Sequence, residues 1–423
     1  MEQIPMAEWE RTMKVQEVIL RAMAKKITWW QAAEILGISN RTMRRWKWSY
    51  EHEGFKGLLD GRKGRPSWKR VPAGETERIL GLYRDTYFDL NVRHFYEKVT
   101  RQHGVGLSYT WVKNLLQGAG LVKKSRDRKV HRKRRPRRPI PGMLLHIDGS
   151  HHRWFQDDRW QDLLVILDDA TSEIYHAQLV EDEDTRTVMT ALRHVIVRKG
   201  LFCALYSDRA KHFFYTPKGQ QQVDPRYLTQ VGRAMKELGV QMIPAYSPQA
   251  RGRGERSFST WQGRLPQELR LRAITTLEAA NAFLRQEYIH EFNSRFTVAA
   301  AQPGTAFVAL GSQDLDRIFS IQHERTVHND NTVRLANMTL QIEPTIWRST
   351  LAGCHVMIQE RLDGTIVINY GPHVIGRYTP DGQRIPELQQ MSKSKRLKKP
   401  PHEEVGAGFF LNKVTSAARS APR

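Results

Sequence analysis

A run of positive charge in the middle of the chain limits how it can fold. Residues 123–138 hold 11 Lys or Arg, and burying unpaired charges costs several kcal/mol each by order of magnitude. No core can take up such a tract, so it reads as a junction between separately folded bodies. The charge on its two sides differs. Residues 1–142 carry 32 Lys and Arg against 14 Asp and Glu, residues 143–298 carry 20 against 19, and the remainder 15 against 11. Most of the net +23 therefore lies in front of residue 143. This pattern fits a polyanion-gripping module joined to one that must tolerate clustered negative charge.

At 423 residues and 40% hydrophobic content, two to four globular domains are expected. Two cysteines, Cys203 and Cys354, exclude a disulfide framework and a cysteine-based zinc site. No apolar run approaches membrane-spanning length and the N-terminus lacks a signal core, so a cytoplasmic, nucleoid-associated protein with no membrane partner is expected.

The front body reads as helical. In WWQAAEILGISNRTMRRWKWSY, Ala33, Leu36, Ile38, Met43 and Trp46 flank Gly37, which permits a tight turn, while Ser39 or Asn40 can cap the next helix. This resembles a helix-turn-helix whose second helix offers Asn40, Arg41, Thr42, Arg44, Arg45 and Lys47 to bases and phosphates of double-stranded DNA. A helical hairpin with a solvated basic face is the plainer alternative. The domain is placed at 1–60, followed by a linker at 61–74 and a second helix-turn-helix-like unit at 75–122, with Ser108 capping its last helix. The basic linker spans 123–142, and Arg132, Lys133, Arg134 and Arg135 at its centre suit an extended arm that tracks phosphates.

From Met143 the periodicity becomes that of strands. Segments 143–148, 161–168 and 173–180 predict antiparallel strands. A helix at 184–199, a strand at 201–207, a helix at 227–238, a strand at 239–244 and helices at 253–272 and 276–293 follow. The expected fold class is multidomain α+β: helix-turn-helix units, a mixed α/β core over 143–298, a connector at 299–324, a small β-barrel at 325–380, and a disordered basic tail at 381–423.

Three acids fall at element ends of the core: Asp148 in MLLHID, Asp208 in ALYSD and Glu255 in RGRGERSF, with 59 and 46 residues between them. Only a fold could bring them together. Converging carboxylates offer oxygen donors alone, which suits Mg²⁺ or Mn²⁺, and two such ions can serve the attacking and leaving oxygens of a phosphodiester. Arg251, Arg253 and Arg256 stand ready to hold phosphates beside Glu255. Singly each acid has a structural explanation, as a turn, a cap or a first-turn helix residue. Asp168 and Asp169 sit where two strands must turn and read as structural.

The phrases HIDGSHHRW, YSDRAKHF and IPAYSPQARGRGERSF resemble the integrase core of bacterial insertion-sequence transposases, the DDE superfamily that includes retroviral integrases. The resemblance implies a ribonuclease-H-like core and a metal-binding catalytic triad at Asp148, Asp208 and Glu255. It also implies two ions per site, 3′-end cleavage and strand transfer of a mobile element, terminal inverted repeats and target DNA as partners, and a homodimer or higher oligomer. Two departures are visible. The interval from Asp208 to Glu255 is longer than usual, through an insertion around FFYTPKGQQQVDPRYL, and the zinc-binding module of retroviral integrases is missing. A catalytically silent DNA-binding regulator and a nuclease without joining activity remain open as alternatives.

Overall fold

The computed structural model describes residues 6–59, 70–124, 136–220, 222–246, 252–345 and 348–386. They belong to two compact units divided between Arg128 and Lys129, inside the basic tract.

The first unit is all helical. Helices α1 (Met6–Met23), α2 (Trp29–Ile35) and α3 (Asn40–Glu53) close over Val15, Val18, Ile19, Ala22, Ala32, Ala33 and Met43. A reciprocal cap starts α2: the Gln31 amide donates to Thr28 Oγ1 at 3.2 Å and the Thr28 amide to Gln31 Oε1 at 2.9 Å. Gly37, at φ +64°, supplies the left-handed turn, and Ser39 accepts the Thr42 amide at 3.2 Å to begin α3. Helices α4 (Ala73–Asp85), α5 (Val92–His103) and α6 (Tyr109–Gly118) follow, with Ile79, Tyr83, Phe95, Val99, Val112 and Leu116 buried. Ser108 caps α6 by accepting the Trp111 amide.

The second unit holds a five-stranded sheet in the order β3-β2-β1-β4-β5, built from β1 (Leu145–His152), β2 (Gln161–Asp168), β3 (Ile174–Val180), β4 (Ala204–Ser207) and β5 (Gln241–Pro244). The first three strands are antiparallel, while β4 lies parallel to β1 and β5 parallel to β4. Both faces of the sheet are covered, which explains why β2 is apolar at successive positions. Leu164 and Ile166 join Val188, Leu192 and Ile196 of α7 (Thr185–Lys199), whereas Leu163, Val165 and Leu167 meet the helices of the opposite face. Helix α8 (Gln230–Glu237) precedes β5.

The single helix expected over 253–272 is two, α9 (Gly252–Gln262) and α10 (Leu265–Leu271). Pro266 lacks the amide that would continue the helical ladder back to Gln262, so the chain breaks at Gly263 and Arg264. Helices α11 (Leu277–Phe283) and α12 (Ile289–Phe296) are joined by a π turn at Leu284–Tyr288. They also close the sheet edge. Asn281 bonds both the amide and carbonyl of Leu179 at 2.8 Å, and Asn293 does the same for Ile174 at 2.8 and 2.9 Å. These side chains blunt an edge strand that would otherwise invite pairing.

After the four-residue helix α13 (Leu315–Ile318) come β6 (Ile321–Thr326), β7 (Thr332–Leu335), β8 (Met338–Gln341), β9 (His355–Glu360), β10 (Ile366–Tyr370) and β11 (His373–Tyr378). The barrel expected here is not closed among the described residues. The strands form an open sheet, β11-β10-β9-β6, and a separate β7-β8 hairpin. The hairpin contributes Val333, Leu335 and Leu340 to a shared core instead of bridging the sheet edges by backbone hydrogen bonds. The Asp363-Gly364 turn joins β9 to β10 with Gly364 at φ +88°. Glu360 ties this sheet to the core, accepting from Arg186 of α7 at 2.7 Å and lying 2.9 Å from His323 Nε2. No described helix is long and apolar enough to cross a membrane.

One buried histidine, paired with a half-buried one, makes the second unit acid-sensitive. His176 and His194 meet through their Nδ1 atoms at 3.1 Å, and burial, then the neighbouring His194, pushes His176 down to about 4. The unfolded chain takes up this proton near pH 6.5 and the folded chain does not, so stability is full above that pH and falls as pH drops toward 4. The expected loss is roughly 3 kcal/mol, read as a falling urea midpoint between pH 7 and 4. His176→Phe should flatten part of that slope, and an unchanged slope would contradict this assignment.

Candidate active site

Two of the three acids meet because of strand register. In the parallel pair, Leu145 is opposite Leu205 and His146 opposite Tyr206. The same offset carried forward puts Asp208, one residue past β4, level with Asp148 on β1. Neighbouring strands lie about 4.8 Å apart. Strand alternation sets the direction: Leu145 and Ile147 enter the core under α7, so Asp148 and Ser150 take the other face, where Ser150 Oγ accepts Gln262 of α9 at 3.0 Å. Asp148 and Asp208 line one small cleft with His146, Ile147, Tyr206, Ser207 and Gly254. Its place at the carboxyl end of a parallel strand next to an antiparallel one is where open α/β sheets expose binding groups.

Gly254 belongs to the first turn of α9 and packs directly on Asp148. A Cβ added there would lie 2.9 Å from Asp148 Oδ2. The second glycine of RGRGER is thus a close-approach residue, and it brings the positive end of α9 to the Asp148 carboxylate. Glu255 is the next residue, exposed in the same turn. Asp148 and Asp208 are brought together, but Glu255 is not closed onto them. Among the described residues no group of three His, Cys, Asp or Glu is spaced to hold a metal ion. Helix α9 is anchored by Phe258 and Trp261, the latter stacked on Phe292 at 4.5 Å.

A buried network surrounds the cleft. His146 Nε2 lies 2.7 Å from Asp169 Oδ1, and the other Asp169 oxygen accepts the Arg138 amide at 2.8 Å. Asp168 accepts the amides of Gly142, Ala170 and Thr171. The pair is therefore structural: it organises the β2–β3 turn and secures the chain entering the core. Sequence reasoning left His146, Tyr206 and Gly254 without a role at the cleft. Only the i, i+2 spacing of His146 to Asp148, and a glycine beside an acid, hinted at them. His151 bonds Asp162 at 2.8 Å, and burial lowers His152.

On α3, Asn40, Arg41, Arg44 and Arg45 are exposed. Thr42 is half-buried, with its hydroxyl 2.9 Å from Ser39 Oγ, and Lys47 lies over the Trp29 ring at 4.9 Å. Arg256 is exposed on α9. Arg132, Lys133, Arg134, Arg135 and Arg251 lie outside the described residues, as do most of the 61–74 linker and the tail beyond 386; of Arg253 only the helical backbone is described.

Comparison with known proteins adds to this geometry. Residues 16–67 match a helix-turn-helix domain model. The curated protein "Putative transposase y4bF" of Sinorhizobium fredii is 29% identical over 367 residues, covering 86% of this chain and 80% of that protein. A transposase for insertion sequence IS1202 of Streptococcus pneumoniae is 28% identical over 315 residues, 66% of this chain and 67% of that protein. Among solved structures, the HTLV-2 integrase catalytic core domain in complex with magnesium covers 35% of this chain and 90% of its own at 15% identity, with a TM-score of 0.26, too loose a superposition to define the fold. Over most of its length the chain is thus similar to one curated putative transposase, and over about two thirds of it to an insertion-sequence transposase.

Proposed function

We propose that the second unit contains a ribonuclease-H-like core whose Asp148, Asp208 and Glu255 perform metal-dependent 3′-end cleavage and strand transfer on double-stranded DNA. The observation that carries this reading is the shared cleft of Asp148 and Asp208 on adjoining parallel strands, with the glycine preceding Glu255 seated on Asp148. The donor set fits a hard divalent cation: the acids offer carboxylate oxygen alone, and the glycine contact leaves the Asp148 carboxylate room that a side chain would fill.

Asp148, on the central strand, and Asp208 beside it would hold the ions together with Glu255. Bound Mg²⁺ or Mn²⁺ supplies activation of the attacking oxygen and neutralisation of the leaving one. The protein's own part is to fix the strands, set the carboxylates and hold the DNA backbone in line. The hydroxyl side chains among the described lining of the cleft are those of Tyr206 and Ser207, the latter donating to the Asp208 carbonyl at 3.0 Å, and the chemistry proposed, direct transfer without a covalent protein intermediate, requires neither as a nucleophile.

Helix α3, presenting Asn40, Arg41, Arg44 and Arg45, would read the element's ends, with α6 as a second reading helix and the basic linker following phosphates. Two ends handled together call for a dimer or larger assembly. The test is incubation of the full chain with Mg²⁺ and DNA carrying the element's terminal repeats. The proposal expects nicked 3′ ends and joined products. Nicks without joining from a pre-cut end would make the protein a nuclease, and binding without nicking would make it a regulator.

A further inference from the structure

Gly149 follows Asp148 in the middle of β1, paired with Leu164, and so is not a turn residue. Its need for glycine has another source. A Cβ at this position would lie 1.9 Å from Glu183 Oε2, far closer than an unbonded carbon and oxygen can come. By strand alternation Gly149 takes the face of Leu145 and Ile147, opposite Asp148, and Glu183 reaches it from the segment that precedes α7.

Glu183 is held at every end. Its amide donates to Asp162 Oδ2 at 2.9 Å, and its second carboxylate oxygen, Oε1, accepts from His212 Nε2 at 2.9 Å. Side-chain exposure is 17% for Glu183 and 9% for His212, so the pair is shielded from competing water. His212 stands four residues after Asp208, in a short turn closed by the Ala210 amide donating to Asp208 Oδ1 at 3.0 Å and anchored by buried Phe213. The carboxylate of Glu183 thus touches the strand that carries Asp148 and grips the turn that carries Asp208.

We propose that Glu183 and His212 are positioning residues that set the separation of Asp148 and Asp208 from the back of the sheet. The inference rests on the reading of those aspartates as cation ligands. Neither Glu183 nor His212 lines the cleft that holds the two aspartates. They act through Gly149 and the Asp208 turn, as partners behind metal ligands do elsewhere, where their loss costs roughly 10- to 100-fold in affinity or activity.

The test is Mn²⁺ binding by the full chain, followed as loss of the free-ion electron paramagnetic resonance signal, alongside the Mn²⁺ dependence of end cleavage. Glu183→Ala should raise the half-saturating Mn²⁺ concentration roughly 10- to 100-fold in both. Glu183→Gln keeps the length and an oxygen that accepts from His212, and should recover most of the affinity. Gly149→Ala alone should reproduce the Glu183→Ala defect by expelling the carboxylate, whereas adding Gly149→Ala to Glu183→Ala should cost little more. A general folding defect would not be relieved by Glu183→Gln, nor would it make the two substitutions non-additive. Native Mn²⁺ affinity in Glu183→Ala, or full additivity of the pair, overturns the proposal. If Asp148→Asn also leaves Mn²⁺ binding and cleavage intact, the underlying reading of the site fails. If Asp148→Asn loses both while Glu183→Ala behaves as native, only the positioning role fails.

Discussion

Asp148→Asn should lower end cleavage and strand joining together by roughly a thousandfold or more, which corresponds to ~4 kcal/mol of barrier, while DNA affinity stays near native. The substitution is nearly isosteric and keeps the strand position, the packing against Gly254 and the pairing to Val165. What it removes is the charge that an oxygen-seeking cation requires. Asp208→Asn should behave alike, because the register places it level with Asp148 in the same cleft. Glu255→Gln is the more discriminating variant, since Glu255 is exposed beside the cleft and not closed onto the aspartates. Its inactivity would bring α9 into the catalytic centre. Activity in Glu255→Gln with both Asn variants dead would leave a two-aspartate site and remove Glu255. Gel assays of nicking and joining, paired with binding measured by fluorescence anisotropy, separate these outcomes.

DNA affinity should fall about 10³- to 10⁵-fold between 50 and 200 mM salt, as expected when 6–10 phosphates are neutralised. The surplus that drives this is local. Residues 1–142 hold 32 of the chain's 67 Lys and Arg with only 14 acids among them, and the middle segment is balanced. Removing residues 1–142 should therefore flatten the salt slope, whereas Arg44→Ala with Arg45→Ala should reduce it by about one unit for each phosphate no longer neutralised and relax discrimination between end sequences. Lys47 and Thr42 should matter less for reading, because one lies on Trp29 and the other is engaged with Ser39. A slope unchanged by removal of the front body would mean that the grip on DNA lies elsewhere.

The parts legible in the sequence are those governed by local rules. Ser39, Ser108 and Gly37 perform the capping and turning that their types predict, because a cap depends on three or four adjacent residues. The order of strands and helices through the core follows from periodicity, and Asp363-Gly364 marks its hairpin. What fails depends on remote partners. The split of α9 from α10 is signalled by Pro266 but outweighed by continuous apolar spacing. Barrel closure is a matter of which edges pair, and strand propensity does not encode that.

The candidate site divides in the same way. Acids at element ends can be read directly. The offset that sets Asp148 level with Asp208 arises only once the chain has crossed through α7 from β3 to β4 and paired with β1, a tertiary event. Glu183, 35 residues from Asp148, carries no local mark at all, and the reason for Gly149 appears only once that carboxylate is in place. His146 likewise gains its role from Asp169, 23 residues away.

The central claim is that two aspartates and one glutamate gather around divalent cations. Its most direct test is a crystal structure of the full chain bound to a DNA end and soaked in Mn²⁺, with anomalous scattering recorded at the manganese edge. Anomalous peaks between the carboxylates of Asp148, Asp208 and Glu255, within oxygen-coordination distance of all three, are the result this account predicts. Manganese bound elsewhere, or bound at the aspartates with Glu255 still turned to solvent, would contradict it.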